Sequence, residues 1–222
     1  MRRNGVTIGK YHTHEHWGLW LMERTLSLPE VQTNTVDVPG RDGLLDLSTA
    51  LDGEVHYKNR TLTLTLGTFQ ALSKQTWSDL LSSFAGYVHG QKLRIEMDET
   101  PGLYLLGRGT VSSFEWDYLG KQQFTVTFDC DPWRYKTALT EVTTTVTSND
   151  TELTLSCDRR PVVPTITVSA ETVLSWGEDT HTVNAGSHRI PGIRLTQGTH
   201  ILTARTISGT GEITITYQEG SL

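Results

Sequence analysis

Thr61-Leu62-Thr63-Leu64-Thr65-Leu66 alternates strictly between a β-branched polar residue and a leucine. Successive side chains of an extended strand point to opposite faces, so the run puts three leucines on one face and three threonines on the other. A helix would scatter those leucines around its circumference, and the stretch therefore predicts a half-buried β-strand. The same period recurs at Phe124-Thr125-Val126-Thr127-Phe128-Asp129. It returns at Thr151–Cys157, with Leu153, Leu155 and Cys157 inward, and over residues 212–217, with Ile213, Ile215 and Tyr217 inward. Shorter runs predict strands at residues 31–38, 92–97, 103–112, 143–147, 164–168, 172–176 and 201–207. Pro39-Gly40, Asp42-Gly43, Asp52-Gly53, Asn149-Asp150 and Gly209-Thr210-Gly211 supply turns between runs.

One segment follows a different period. Over residues 73–89, Trp77, Leu80, Leu81, Phe84 and Val88 recur at spacings of three and four, the apolar face of a helix. Ser73 is its expected N-cap and Gly90 its stop, and no other substantial helix is predicted. Composition agrees: 35 of the 222 residues are threonine, whose stiff χ1 is poorly suited to helices. The chain is mainly β, which excludes a helical bundle, and at this length it can bury about 70% of its unfolded surface. All five Phe and five of the six Trp precede residue 136, whereas Thr-rich strands and Trp176 follow it. Two cores of different aromatic content predict two domains. Residues 1–136 form a β-sandwich or barrel-like domain with one helix, and residues 137–222 a second β-sandwich.

Net charge is −6, with 14 Lys/Arg against 16 Asp/Glu in residues 1–136 and 5 against 9 in residues 137–222. Neither half offers the basic stripe that neutralises phosphates, which excludes specific nucleic-acid binding. Met1-Arg2-Arg3-Asn4-Gly5 leads into no apolar segment of the signal-peptide kind, and no window approaches about 18 apolar residues. The expectation is a soluble chain made in the cytosol, with no membrane association. Cys130 and Cys157 lack C-x-x-C or zinc spacing and end alternating runs, which predicts two buried free thiols. Asn59-Arg60-Thr61 and Asn149-Asp150-Thr151 fit a glycosylation sequon that has no meaning without secretion.

His12, His14 and His16 alternate, so on a strand they project from one face. That is either a transition-metal set or a polar strand or arm, and no further ligand is identifiable. Glu96/Asp98, Glu115/Asp117 and Asp129/Asp131 each place two acids on one strand face, but glycosidase pairs come from opposed elements. No nucleophile elbow, P-loop or Rossmann fingerprint occurs, and Gly107-Arg108-Gly109 reads as a bulge or bend. The chain is therefore expected to have no catalytic centre, no metal and no cofactor. Trp17 and Trp20, flanking Gly18-Leu19, are either core or an interface patch between subunits. Trp176, near Glu178, Asp179 and His181, is either a core residue or an aromatic platform for sugar.

The order of features is similar to a known family. An Asn4-Gly5 to Tyr11 lead is followed by Trp17-Gly18-Leu19. Then come Val36-Asp37-Val38-Pro39-Gly40-Arg41-Asp42-Gly43 and Leu45-Asp46-Leu47-Ser48. Tyr57 with Asn59-Arg60, the alternating strand, the helix around Trp77 and Phe128-Asp129-Cys130-Asp131-Pro132-Trp133 complete the first half. The close, Ile213 to Tyr217 and then Glu219-Gly220-Ser221-Leu222, matches too. The chain resembles the distal tail (Dit) proteins of phages and prophages with long non-contractile tails, more clearly over 1–136 than over 137–222. The resemblance implies a structural role in the virion, assembled in the host cytoplasm. The N-terminal domain would build a ring of six copies, and the C-terminal half would be a galectin-like β-sandwich. Such a ring joins the tail tube protein to the tail-associated tip protein and receptor-binding proteins, and an acidic ring is compatible with DNA passing through its lumen, since like charge avoids sticking. Its candidate subunit-interface residues are Trp17, Trp20, Pro39, Gly40, Arg41, Asp42 and Gly43; for residues 39–46 a plain hairpin connection is the other reading. The rival function is a carbohydrate-binding module touching the host wall.

Overall fold

The structure, a computed structural model, describes residues 5–112 and 122–222. Phe114, Glu115 and Asp117, among the sequence candidates, lie outside the described residues. The chain divides into two units: the residues up to Arg134 together with Leu222, and Tyr135–Ser221.

The first unit contains β1 (Val6–Ile8), β2 (Tyr11–His12), α1 (Thr13–Trp17), β3 (Trp20–Leu26), β4 (Thr35–Val36), β5 (Leu45–Asp46) and β6 (Arg60–Thr68). These are followed by α2 (Lys74–Val88), β7 (Lys92–Met97), β8 (Leu103–Val111) and β9 (Gln122–Cys130). An antiparallel path runs β2-β1-β7-β8-β9-β6-β3. The alternating leucines lie in β6, where Leu62 faces Phe128, Leu64 faces Val126 and Leu66 faces Phe124, all in one buried cluster. Cross-strand apolar pairs of this kind contribute about 0.2–1 kcal/mol each beyond alanine pairs. Helix α2 adds Trp77, Leu81, Phe84 and Val88 to that cluster, and the Ser73 side chain caps it by accepting from the Thr76 amide.

Gly109 shows why α2 can approach the sheet, and Gly107 how closely β9 packs beside β8. Their register against Cys130 and Phe128 is unbroken, so the expected bulge or bend is corrected to a regular strand. A Cβ on Gly109 would stand 2.7 Å from Val88 Cγ1, and one on Gly107 2.5 Å from Cys130 Sγ. The glycines are there because Val88 of α2 and Cys130 of β9 come too close for any side chain. A bulge does occur in β3, between Leu21 opposite Leu66 and Glu23 opposite Thr65. It brings Arg24 opposite Leu64, and the guanidinium reaches Met97 Sδ at 3.2 Å and Glu99 at 2.9 Å. The last strand of the path thus meets the end of β7, which makes the sheet curled and barrel-like.

Two local expectations are corrected. Residues 13–17 form a short helix: His12 caps it by accepting from the Glu15 amide, and Gly18 ends it in the left-handed region at φ 68°. Thr13 and Trp17, four residues apart, are buried on one face, and this placement overrides the alternation of the three histidines. Residues 31–38 are not one strand. Only Thr35–Val36 is extended in a ladder, with Leu45–Asp46 as its partner, because no apolar sheet face receives the rest.

β10 (Arg134–Lys136) begins where the first unit ends. The second unit continues with β11 (Thr140–Val146), β12 (Thr151–Cys157), β13 (Thr165–Val168), β14 (Thr172–Trp176), β15 (Asp179–Val183), β16 (Gly186–His188), β17 (Gly198–Thr206), β18 (Gly211–Tyr217) and β19 (Gly220–Ser221). The sheets β11-β18-β13-β16 and β12-β17-β14-β15 form a sandwich. Val168, Ile166, Ile213 and Ile215 from one meet Leu153, Leu155, Leu174 and Leu202 from the other. Tyr217 crosses the core and its hydroxyl donates to the Ser156 carbonyl at 2.6 Å, which satisfies a buried polar group. Thr143, Thr214, Thr167 and Ser187 form an outer row across four strands, just as Thr25, Thr63, Thr127 and Thr110 do in the first unit. The threonine excess is spent on such outer faces. Near the chain's close, Glu219 is buried and accepts from Lys136 and from Thr140 Oγ1, while Lys136 also pairs with Asp158 at 2.8 Å.

Cys130 and Cys157 are both free and buried, and burial pushes the Cys130 thiol up to about 12. Among the described residues no helix is long and apolar enough to cross a membrane.

Candidate assembly surface

Within the first unit, residues 27–59 run between β3 and β6 as an arm. Its root is pinned by three side chains. Ser27 and Thr61 bond reciprocally: the Ser27 amide donates to the Thr61 carbonyl at 3.0 Å, and Ser27 Oγ accepts from the Thr61 amide at 2.9 Å. Arg60 is only 3% exposed; its Nε donates to the Ser27 carbonyl at 2.9 Å and its Nη1 to the Pro132 carbonyl at 3.3 Å. Burial, and then the nearby Arg134 charge, lower its pKa below the ordinary arginine value. Asn59 donates to Asp129 at 3.0 Å.

Beyond the root the arm bonds mainly to itself. The Lys58 amide donates to the Glu30 carbonyl, Gln32 to His56 and Leu47 to Asn34, each at 2.8 Å, before β4 pairs with β5. A turn closes it, with Gly40 and Gly43 at φ 84° and 73°, conformations that glycine adopts without strain. Ser48 hydrogen bonds to Asp46 hold that carboxyl below its ordinary value.

This arm has almost nothing to bury. Leu28, Val31, Val36, Leu44, Leu47, Leu51 and Val55 are all exposed, Leu51 to 93% and Leu28 to 76%, and none joins either core cluster. It also carries six acids, Glu30, Asp37, Asp42, Asp46, Asp52 and Glu54, against Arg41 and Lys58, a net −4 of the chain's −6. The acids flank uncovered aliphatic side chains that no part of the first unit's core receives.

Pro39, Gly40, Arg41, Asp42 and Gly43 are exposed at the arm's turn. Trp17 lies elsewhere, in the core 5.1 Å from Phe84, with its Nε1 donating to Ser83 Oγ at 3.3 Å. Trp20 is half-buried, 5.7 Å from Phe69 and 4.1 Å from His14. It opens β3, whereas the arm leaves from the other end of that strand. The sequence reading missed Leu28, Leu44, Leu51 and Val55, whose irregular spacing among Pro, Gly and Asp gives no period to detect. It also missed the exposed Phe69.

The other candidates do not converge. His12 Nε2 is 3.1 Å from Asp98, His14 packs on Trp20 and His16 stacks on Tyr11 at 4.0 Å, so the three turn to different neighbours. Glu96 pairs with Arg94, Asp98 with His12, Asp129 with Asn59 and Asp131 with Lys92. Trp176 is half-buried against the second core and 5.4 Å from His200.

A curled antiparallel sheet carrying one long helix, followed in the same chain by a two-sheet sandwich, defines a fold class seen in the hub of a phage adsorption apparatus. One solved member is the SPP1 Dit protein, whose crystal structure is described as a paradigm of the hub adsorption apparatus in phages that infect Gram-positive bacteria. It aligns with 98% of this chain and 99% of its own length at a TM-score of 0.67 and 17% identity. The resemblance to the Dit proteins thus holds at the level of the fold. A designed double-stranded β-helix aligns with 37% of this chain at a TM-score of 0.28, too low to inform it. No protein-family model and no curated protein sequence matches the chain.

Proposed function

We propose that this chain is a non-enzymatic structural protein of a phage tail tip, the hub ring that joins the tail tube to the tip and receptor-binding proteins. In this reading the N-terminal unit builds a ring of six copies through the arm, residues 1–136 and 137–222 are the ring-forming and galectin-like halves, and the whole assembles in the host cytoplasm. One observation carries the reading: an ordered arm with seven uncovered aliphatic side chains and no core of its own. Burying a Val or Leu side chain stabilises by about 1.5–3 kcal/mol, so a monomer leaves much of that unrealised. Closed rings need two different surfaces on each copy, and a projecting arm supplies one of them. The fold shared with SPP1 Dit supports the same role.

Sedimentation velocity over a wide concentration range tests it. The wild-type chain is expected to form a higher-order species, and Leu44→Ser with Leu51→Ser to hold it as a monomer with an unchanged fold. A wild-type chain that stays monomeric throughout overturns the reading.

A further inference from the structure

We propose that Asp42 isomerises spontaneously with Gly43 to isoaspartate, a covalent modification from which the fold protects Asp52-Gly53, the same dipeptide in the same arm. Of the chain's aspartates, only Asp42 and Asp52 precede a glycine. Glycine has no Cβ to crowd its own amide nitrogen, so at these two places that nitrogen reaches the preceding carboxyl most easily. The reaction is internal and balanced. The Gly43 nitrogen attacks Asp42 Cγ, a C–N bond forms, a C–O bond breaks, and the amide proton leaves with the carboxyl hydroxyl as water. Water then opens the resulting succinimide at the former main-chain carbonyl, which becomes the free carboxylate, and the chain runs on through Cγ. No oxidant or co-reactant is needed, and the mass is unchanged.

Exposure and backbone conformation do not separate the two sites. Asp42 and Asp52 are both exposed, Gly43 and Gly53 both lie in the left-handed region at φ 73° and 76°, and nothing stands within 4 Å of a Cβ built on either glycine. Hydrogen bonds do separate them. The Gly53 amide donates to the Thr49 carbonyl at 2.8 Å. Asp52 Oδ1 accepts from the Glu54 amide at 3.1 Å and lies 3.1 Å from His56 Nε2, which ties the carboxyl to residues 54 and 56. All three contacts must open before the Gly53 nitrogen and the Asp52 carboxyl can meet. At the other site the Arg41 amide donates to the Val38 carbonyl at 3.1 Å and closes the preceding turn. Beyond it, among the described residues, nothing accepts from the Gly43 amide and nothing donates to the Asp42 carboxyl. Asp46 is set apart by the Ser48 amide on its carboxyl and by Leu47 as its successor. The product carries one extra main-chain carbon at the turn that joins β4 to β5, so an aged chain carries an altered arm.

Ageing the full chain in dilute solution and digesting samples with Asp-N, a protease that cuts before aspartate but not before isoaspartate, tests the assignment. Peptides that have lost the cut at residue 42 are expected to accumulate with unchanged mass. They should do so at least about tenfold faster than peptides that have lost the cut at residue 52, where three hydrogen bonds must open first. In urea, with the arm unfolded, the two positions are expected to age at comparable rates. Deamidation at Asn4-Gly5, whose Asn4 lies outside the described residues, adds mass and is counted apart. Equal ageing at residues 42 and 52 of the folded chain, or faster ageing at 52, overturns the proposal. So does a folded chain unaltered at residue 42 when its unfolded form has aged at both. Working dilute keeps copies apart, so the outcome does not depend on whether they form a ring.

Discussion

Replacing Gly109 by alanine probes how α2 is seated on the sheet. The added Cβ would stand 2.7 Å from Val88 Cγ1 and 2.9 Å from both Phe128 Cε1 and the Val88 carbonyl oxygen, where ordinary contact begins at 3.4 Å. Because one of these atoms is backbone, no rotamer change relieves the overlap, and the last turn of α2 must move. Overpacking of this kind costs about 1–3 kcal/mol. Removing glycine from a strand returns about 0.5–1 kcal/mol, leaving a net loss of about 1–2 kcal/mol. Gly86→Ala on the same helix is the control. Gly86 is exposed and nothing lies within 4 Å of its would-be Cβ, so alanine there should stabilise by about 0.5–1 kcal/mol. Urea unfolding followed by tryptophan fluorescence reads mainly the first unit, which holds Trp17, Trp20, Trp77 and Trp133. With a urea m-value of about 2 kcal/mol/M, Gly109→Ala lowers the midpoint by about 0.5–1 M and Gly86→Ala raises it by about 0.3–0.5 M. A Gly109→Ala midpoint equal to or above wild type refutes the seating of α2 over β8.

Three further outcomes follow from named contacts. Arg60→Met leaves the Ser27 and Pro132 carbonyls without their donor, which should cost about 1–3 kcal/mol and speed hydrogen exchange at the Ser27 and Thr61 amides; unchanged exchange there refutes the pinned root. A thiol reagent should label neither Cys130 nor Cys157 in the folded chain and both after unfolding, since burial raises both thiols; rapid labelling of the native protein contradicts this. The hydrogen bond from Lys136 holds the Asp158 carboxyl below its ordinary value, so its contribution is present above about pH 4 and is lost as pH falls through the lowered value. Asp158→Asn should flatten the urea midpoint over that acid range, and an unaltered pH profile would show that the pair does not act.

Alternation made the sheets readable because a period of two survives any tertiary context that buries one face. Leu62, Leu64 and Leu66 face Phe128, Val126 and Phe124 as the pattern requires, and the Ser73 cap and the Trp77 face of α2 obey equally local rules. Residues 12–16 misled for the opposite reason. Alternating histidines look like one strand face, but the cap at His12, the left-handed Gly18 and the burial of Thr13 with Trp17 decide the backbone. Gly107 and Gly109 were ambiguous because a glycine in a strand marks a bulge or a close approach, and only Val88 and Cys130 in three dimensions distinguish the two. The turn at residues 39–43 was legible as glycine chemistry, whereas the exposed leucines around it were not. Exposure is a property of what fails to pack against a residue, and no local pattern records it. Trp17 and Trp20, adjacent in the motif, part company because the helix buries the former while β3 turns the latter toward Phe69.

The proposed ring is tested most directly by its mass. Native mass spectrometry of the purified chain is expected to give one closed species at six copies of 24.8 kDa, about 149 kDa, reduced to single chains by Leu44→Ser with Leu51→Ser. A spectrum holding only the 24.8 kDa chain at every concentration, or an open ladder of masses with no closed species, contradicts it.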